Sequence, residues 1–370
     1  AGVPVTAEAL NEHLRRRWLG FGRGGRAKFE RDQVHIYSGL RFSKTMGSPV
    51  ALRLDNEAYT RDRSGWPDVM AIGGTGEGID PVTLPRPGHA DLVGVQKYGL
   101  DDIRPVIDRS SARETAMRVA CCSVARLLLK AVGIEVGSHV VGIGGAGYEN
   151  DDQWRALREE LIQEGAEALN RVADESETRM LDSHATEQCI ERIKAAKKAG
   201  DTLGGKYEVV VTGVPVGLGS YVHWDRRLDG RLAQAILSIQ AQKAVEVGDG
   251  IDASVDPGSK LHDPISKTNG TFSRTQNRAG GIEGGISNGM PIIVRGFMKP
   301  IPTLIKPLGT VDLKSGEAQP TRYERSDVTS VPAASTVAEA TVAFTIATAL
   351  LEKFGGDSLV ELRRNMGLSG

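Results

Sequence analysis

The chain has 370 residues, with 46 Lys and Arg against 47 Asp and Glu for a formal net charge of -1, and 40% of it is hydrophobic. That length allows one large or two ordinary domains, and the apolar content is enough for a sizeable core. With no basic excess to gather on one face, the composition argues against a nucleic-acid protein. The cysteines are odd in number, and Cys121 and Cys122 are adjacent, about 100° apart on a helix. This predicts reduced thiols in a cytoplasmic protein rather than a disulfide framework. No signal-peptide pattern opens the sequence, because Ala1-Gly2-Val3-Pro4-Val5 runs directly into a charged stretch ending at Arg17.

Thr6 predicts the cap of a first helix, with Leu10 and Leu14 on one face and Arg15-Arg16-Arg17 at its negative end. Gly20-Phe21-Gly22-Arg23-Gly24-Gly25-Arg26 follows, and its glycine density predicts a loop. Alone it fits a solvated basic loop; beside the other motifs its arginines are free to converge on a ligand. Residues 34–40 and 50–54 read as strands, and 60–87 as a long functional loop. A helix is predicted over 111–132, with Ala116, Val119, Ala120, Val124, Leu127 and Leu128 inward and Gly133 as its stop. Then come a strand at 136–143, helices at 152–172 and 185–199, a strand at 207–214 and a helix over 228–245.

Strands at 290–297 and 303–313 lie among glycine-rich turns, and two helices close the chain. The longest apolar helix, 337–354, carries Glu339 and is shorter than a membrane span requires, so it reads as a buried core helix. Strands and helices come in blocks rather than strict alternation, which predicts α+β with mostly antiparallel sheet. No internal repeat or low-complexity tail stands out.

Asp108-Arg109-Ser110-Ser111-Ala112-Arg113-Glu114-Thr115 puts hydroxyls and a guanidinium where a helix has free N–H groups and positive dipole, an anion-binding arrangement. In Arg86-Pro87-Gly88-His89-Ala90-Asp91, the loop gives the histidine access to a ligand and the aspartate can hold its tautomer. Gly280-Gly281-Ile282-Glu283-Gly284-Gly285-Ile286-Ser287-Asn288-Gly289 lets backbone approach a flat ligand closely. Lys299-Pro300-Ile301-Pro302-Thr303 sets an ammonium and a hydroxyl on a stiffened segment. Arg325-Ser326-Asp327-Val328 precedes the core helix.

Two further patterns invite other readings. Gly142-Ile143-Gly144-Gly145-Ala146-Gly147 matches a dinucleotide fingerprint, which would imply a nicotinamide-dependent oxidoreductase. However, Tyr148 to Arg158 lacks the apolar face of a crossover helix, so the run reads as a glycine-rich exit from a strand. Cys121-Cys122 has no Cys-x-x-Cys spacing or histidine pair beside it and reads as core packing, with no metal site.

Together and in this order, the motifs at 86–91, 108–115, 280–289 and 325–328 resemble the chorismate synthases. The resemblance runs over 1–370 as a single domain. It implies an α+β sandwich with a helical core between antiparallel sheets, assembled as a homotetramer. The implied reaction is conversion of 5-enolpyruvylshikimate 3-phosphate to chorismate by 1,4-elimination, with reduced FMN required and no net redox change. By the same resemblance Ser111, Ala112, Arg113, Gln240, Ala241, Gly284, Lys299, Thr303 and Arg325 hold FMN. His89 is catalytic, supplying a proton to the reduced flavin, and Asp327 lies against the flavin's central-ring nitrogen.

Arg17, Arg23, Arg26 and Arg86 are the implied cations for the substrate or NADP, with NADPH as a candidate reductant. The family's N-terminal Gly-Glu-Ser-His-Gly motif, which carries a second catalytic histidine, is not in this sequence. Ala1 to Val5 resembles the segment after it, so roughly twenty residues including a first strand are expected to be missing. The alternative is an FMN-binding degenerate homologue without catalysis.

Overall fold

The computed structural model describes residues 1–24, 31–56, 73–268, 270–321 and 327–368. The order is α1 (Ala7–Arg16), β1 (Val34–Ser38), β2 (Leu40–Arg41), β3 (Lys44–Thr45), β4 (Ala51–Leu54), α2 (Asp91–Tyr98), α3 (Arg104–Ser110) and α4 (Glu114–Lys130). Next are β5 (Glu135–Ile143), β6 (Ala146–Gly147), α5 (Asp151–Leu161), α6 (Glu167–Ala173), α7 (Ser183–Ala199), β7 (Gly205–Thr212), α8 (Leu228–Leu237) and β8 (Gln242–Val247). The last third holds α9 (Gly258–Leu261), β9 (Ile265–Thr268), β10 (Thr271–Arg274), β11 (Ile282–Glu283), β12 (Ile286–Ser287), β13 (Ile292–Met298), β14 (Gly309–Val311), β15 (Ala318–Pro320), α10 (Val331–Phe354) and α11 (Leu359–Asn365).

A five-stranded antiparallel sheet in the order β6-β5-β7-β13-β8 organises the molecule. Alternation along β7 covers both faces: Tyr207, Val209 and Val211 enter the main core, while Val210 packs with Ile162, Leu169 and Ala173 on the other side. Gly137 is required where α6 crosses β5, because a Cβ there would lie 1.9 Å from the Ala166 carbonyl oxygen. On the main-core face lies α10, whose buried alanines, among them Ala338, Ala343 and Ala347, allow close approach to α4. The helices α10, α4 and α1 thus separate the sheet from the β1–β4 ribbon, the expected α+β arrangement.

Glu339, fully buried on α10, draws these layers together. Arg16 Nη1 donates to it at 2.7 Å, Ser138 Oγ at 2.8 Å and Asn170 Nδ2 at 3.1 Å, with Arg126 alongside. A buried carboxylate is tolerable only when satisfied in this way.

Several expectations are corrected. The helix expected over 111–132 is shorter: α3 ends at Ser110, Ser111 is extended at ψ 135°, and α4 runs from Glu114 to Lys130. Its buried face is rotated, with Cys122, Ser123, Arg126 and Leu129 inside and Val124, Leu127 and Leu128 only partly covered, because α4 packs on α10 and α1 at once. The helix expected over 228–245 stops at Leu237, and β8 pairs with β13 instead. Sheet pairing there overrides helix propensity. The helix expected over 152–172 divides into α5, a 3₁₀ turn and α6, and the strand expected over 303–313 shrinks to β14.

The core helix begins at Val331 and has 24 residues, so the length expectation fails. It is long and apolar enough to cross a membrane, yet 83% of its apolar window is buried inside the fold, as a core helix requires. The reading of Gly142 to Gly147 as a glycine-rich exit from a strand holds. Ile143 pairs with Ala146 and Gly142 with Gly147, so Gly144 (φ 59°) and Gly145 (φ 84°) form the two-residue turn of a β-hairpin. Cys122 and Cys189 are buried, but Cys121 is exposed rather than core.

Candidate active site

The Ser111–Arg113 break lets α4 present its first turn beside the end of α1. Arg17 caps α1, and its Nη2 lies 2.7 Å from Asp32 Oδ2. Arg113 Nη2 lies 2.6 Å from the other oxygen of Asp32, and Trp18 Nε1 donates to the carboxylate at 3.4 Å. Asp32 is only 2% exposed. Burial lowers the pKa of Arg17 despite Asp32, and the nearby charges of Arg23 and Arg113 lower it further.

Arg23 in turn pairs with Asp327, Nη1 to Oδ2 at 2.6 Å. Asp327 also accepts from Gly24 N–H at 2.5 Å and from Ser330 Oγ at 2.7 Å. It therefore pins the glycine loop to the entrance of α10, whose N-cap position is Ser330.

A second group forms where the loop enters α2. Asp91, fully buried in the first turn, accepts from Arg86 Nε at 2.8 Å, from Arg86 N–H at 3.0 Å and from His89 Nδ1 at 2.5 Å. Burial pushes the Asp91 carboxyl up, but the hydrogen bonds from His89 and Arg86 outweigh it and hold the group well below the usual carboxylate range. An ionised carboxylate only accepts, so His89 must carry its proton on Nδ1 when neutral.

One chain of contacts joins the two groups. Lys299, after the end of β13, places Nζ on the Gly88 carbonyl, and its backbone N–H donates to Ala241 O at 2.9 Å. Gln240 Nε2 donates to Glu114 Oε2 at 3.0 Å, in the first turn of α4 beside Arg113. Ala241 holds φ 66° at the turn from α8 to β8, which brings Gln240 back to α4. Thr303 follows on the same segment, which is fixed by Thr202 Oγ1 donating to Ile301 O at 2.7 Å.

The structure therefore gathers Arg17, Arg23, Arg86, His89, Ser111, Ala112, Arg113, Gln240, Ala241, Lys299, Thr303 and Asp327 in one connected region. Among the described residues no hydrogen bond ties Gly284 to this network. Gly284 occupies the exposed β11–β12 turn, and Gly285 O accepts from Leu228 N–H at the far end of α8 from Gln240. A helix of that length separates the two ends by about 15 Å. Arg26 and Arg325 lie outside the described residues. Sequence reasoning missed Asp32 altogether, since an aspartate shortly before a strand carries no signal of its own.

Arg17 Nε, Arg23 Nε, Arg113 Nε, Ser110 Oγ and Gln240 Oε1 are all buried without a hydrogen-bond partner among the described residues. Each such group costs about 1 to 3 kcal/mol. Their concentration in one cationic region, most of them donors, fits anionic groups rich in acceptors, as a phosphate and carboxylates would supply. No cluster of His, Cys, Asp and Glu able to hold a metal occurs among the described residues.

Comparison with known proteins points the same way. The chorismate synthase family model matches residues 1–351. A chorismate synthase from Salinibacter ruber is 64% identical over 99% of this chain and 92% of its own length. One from Chlorobaculum tepidum is 50% identical over 99% and 91%. A crystal structure of chorismate synthase superimposes with a TM-score of 0.76 at 37% identity, covering 99% of this chain and 89% of that one. The chain belongs to the chorismate synthase family, the shikimate-pathway lyases that convert 5-enolpyruvylshikimate 3-phosphate to chorismate using a reduced flavin.

Proposed function

We propose that this region performs the family reaction with reduced FMN as the flavin, eliminating phosphate and a ring hydrogen from 5-enolpyruvylshikimate 3-phosphate with no net redox change. The observation that carries the reading is the set of guanidinium N–H groups on Arg17, Arg23 and Arg113 that are buried without a partner among the described residues. Ser111, Ala112, Arg113, Gln240, Ala241, Lys299 and Thr303 hold FMN, where the orphaned Ser110 Oγ and Gln240 Oε1 also lie. Arg17, Arg23 and Arg86 take the phosphate and carboxylates of the substrate. When bound, reduced FMN supplies an electron to the substrate.

The side chains orient and move protons. Asp91 fixes Nδ1 of His89 as its donor, and Arg86 Nη2 lies 3.2 Å from Nε2, so the ring must turn from Arg86 for Nε2 to pass a proton. Asp327, engaged by Arg23, Ser330 and Gly24, would offer its carboxylate as the acceptor for a flavin ring N–H. NADPH serves as reductant of the flavin, and the chain acts in the cytoplasm as a homotetramer.

An anaerobic assay with chemically reduced FMN and 5-enolpyruvylshikimate 3-phosphate tests the reading. Equal amounts of chorismate and phosphate are expected. With the family's N-terminal Gly-Glu-Ser-His-Gly segment supplied, bound FMN with no phosphate release would identify a degenerate FMN-binding homologue instead. The same assay started from oxidised FMN and NADPH tests the reductant.

A further inference from the structure

We propose that Asp32 is a positioning residue that couples the substrate and flavin sites by holding one guanidinium of each. The assignment of Arg17 to substrate and Arg113 to FMN rests on the function proposed above; the shared carboxylate does not. Its two oxygens are divided between two motifs more than ninety residues apart, Oδ2 to Arg17 at 2.7 Å and Oδ1 to Arg113 at 2.6 Å, with Trp18 Nε1 as a further donor.

At 2% exposure, water cannot replace Asp32 as the counter-charge between these cations. Without it, two guanidiniums brought together by the end of α1 and the start of α4 repel each other and turn apart. With it, each commits one Nη to the carboxylate, which fixes the planar fork and the direction of the Nε–H left over. Those two Nε–H groups are buried and unpartnered among the described residues. Asp32 touches neither reactant in this account; it sets where their anionic groups are received.

The test uses the full chain with Asp32→Asn, which keeps the shape and one acceptor but removes the charge. FMN affinity is read by titration, and KM and kcat by phosphate release with reduced FMN. Both the FMN Kd and the substrate KM should rise at least tenfold, with a smaller fall in kcat. Loss of folded protein alone lowers the apparent kcat and leaves KM and Kd unchanged, so that pattern overturns the proposal, as does a rise in only one of the two constants.

Should Asp32→Asn not fold, Arg17→Gln decides. It releases Asp32 to Arg113 alone and should change the FMN Kd at least threefold although Arg17 is assigned to the substrate; an unchanged Kd overturns the coupling. If the wild-type chain makes no chorismate, the proposed function fails by itself. FMN and inorganic phosphate titrations of wild type and Asp32→Asn then still decide the role of Asp32, both affinities falling if it stands and neither moving if it does not.

Discussion

Two parts of this molecule are rich in arginine–carboxylate pairs and differ in how those charges are balanced. On the sheet face covered by α5, Glu208 is fully buried and takes Arg158 at 3.1 Å, Arg295 at 2.8 Å and His139 at 3.2 Å, while Arg295 also pairs with Glu246 at 2.9 Å. Trp154 packs under Arg295 with 4.9 Å from guanidinium to ring centre. Burial opposes the charges of Glu208 and Arg295, yet Arg158 and His139 hold Glu208 below the usual carboxylate range, and Glu208 and Glu246 hold Arg295 above its ordinary value.

Here carboxylates outnumber guanidiniums, since Arg158 also pairs with Glu159 at 2.6 Å and Arg295 with Asp249 at 3.7 Å, and strands supply most of the side chains. In the candidate site three guanidiniums, Arg17, Arg23 and Arg113, share Asp32 and Asp327, and all five come from loops or helix ends. Ion pairing therefore does not mark function. An excess of guanidiniums over carboxylates at element ends does.

The largest effect expected from this contrast is on turnover. His89→Ala should fold and bind FMN but lose about a hundredfold to ten-thousandfold of chorismate formation, the usual contribution of a positioned proton donor. Wild-type turnover in that variant would leave His89 a structural partner of Asp91. Glu208→Gln should do the reverse, costing about 3 to 5 kcal/mol of unfolding free energy by stranding buried guanidiniums, with KM unchanged in the folded fraction. A raised KM in that variant would erase the distinction between the two regions.

What the sequence made legible was what it encodes locally. The helix from Thr6 to Arg16 formed as its cap and apolar spacing required, and Arg86, His89 and Asp91 met because six residues of loop and helix entry contain all three. The α+β antiparallel arrangement followed from the blockwise order of elements. Long-range geometry was not legible. Gln240 and Ala241 reach the site only because the chain leaves α8 early to pair β8 with β13, a tertiary choice that helix propensity opposed. Asp32 matters only because α1 and α4 end beside it. Gly284 sits at the opposite end of α8 from Gln240, a distance no motif records.

A smaller effect separates cations by their setting. Arg113→Ala should weaken FMN binding by about 1.5 to 3 kcal/mol, one charge-assisted hydrogen bond, whereas Arg171→Ala should leave it unchanged. Arg171 pairs with Glu164 at 2.6 Å on an exposed surface, where such pairs contribute little. Superimposable FMN titrations for the two variants would remove Arg113 from the flavin site.

The smallest effect contrasts two histidines. His89 stands beside an ionised carboxylate in the site, whereas His13 on α1 is pushed down to about 2 by burial first and then by the charges of Arg126, Arg16 and Lys130. Below the ordinary histidine value near 6.5, the unfolded chain takes up a proton that the native His13 refuses. Stability is therefore complete above that pH and falls as pH drops through the window between the two values.

The limiting slope is about 1.4 kcal/mol per pH unit for one group, so acidification from pH 7 to 5.5 should cost on the order of 1 kcal/mol. Asp91 and Glu208 have folded values below the ordinary carboxylate range, and their contributions are lost only below about pH 4, outside this interval. Urea unfolding of wild type and His13→Gln at pH 7 and 5.5 isolates the effect: the variant should lose about 1 kcal/mol less on acidification. Equal losses would mean that His13 is protonated in the folded protein, and that burial beside three cations does not keep it neutral.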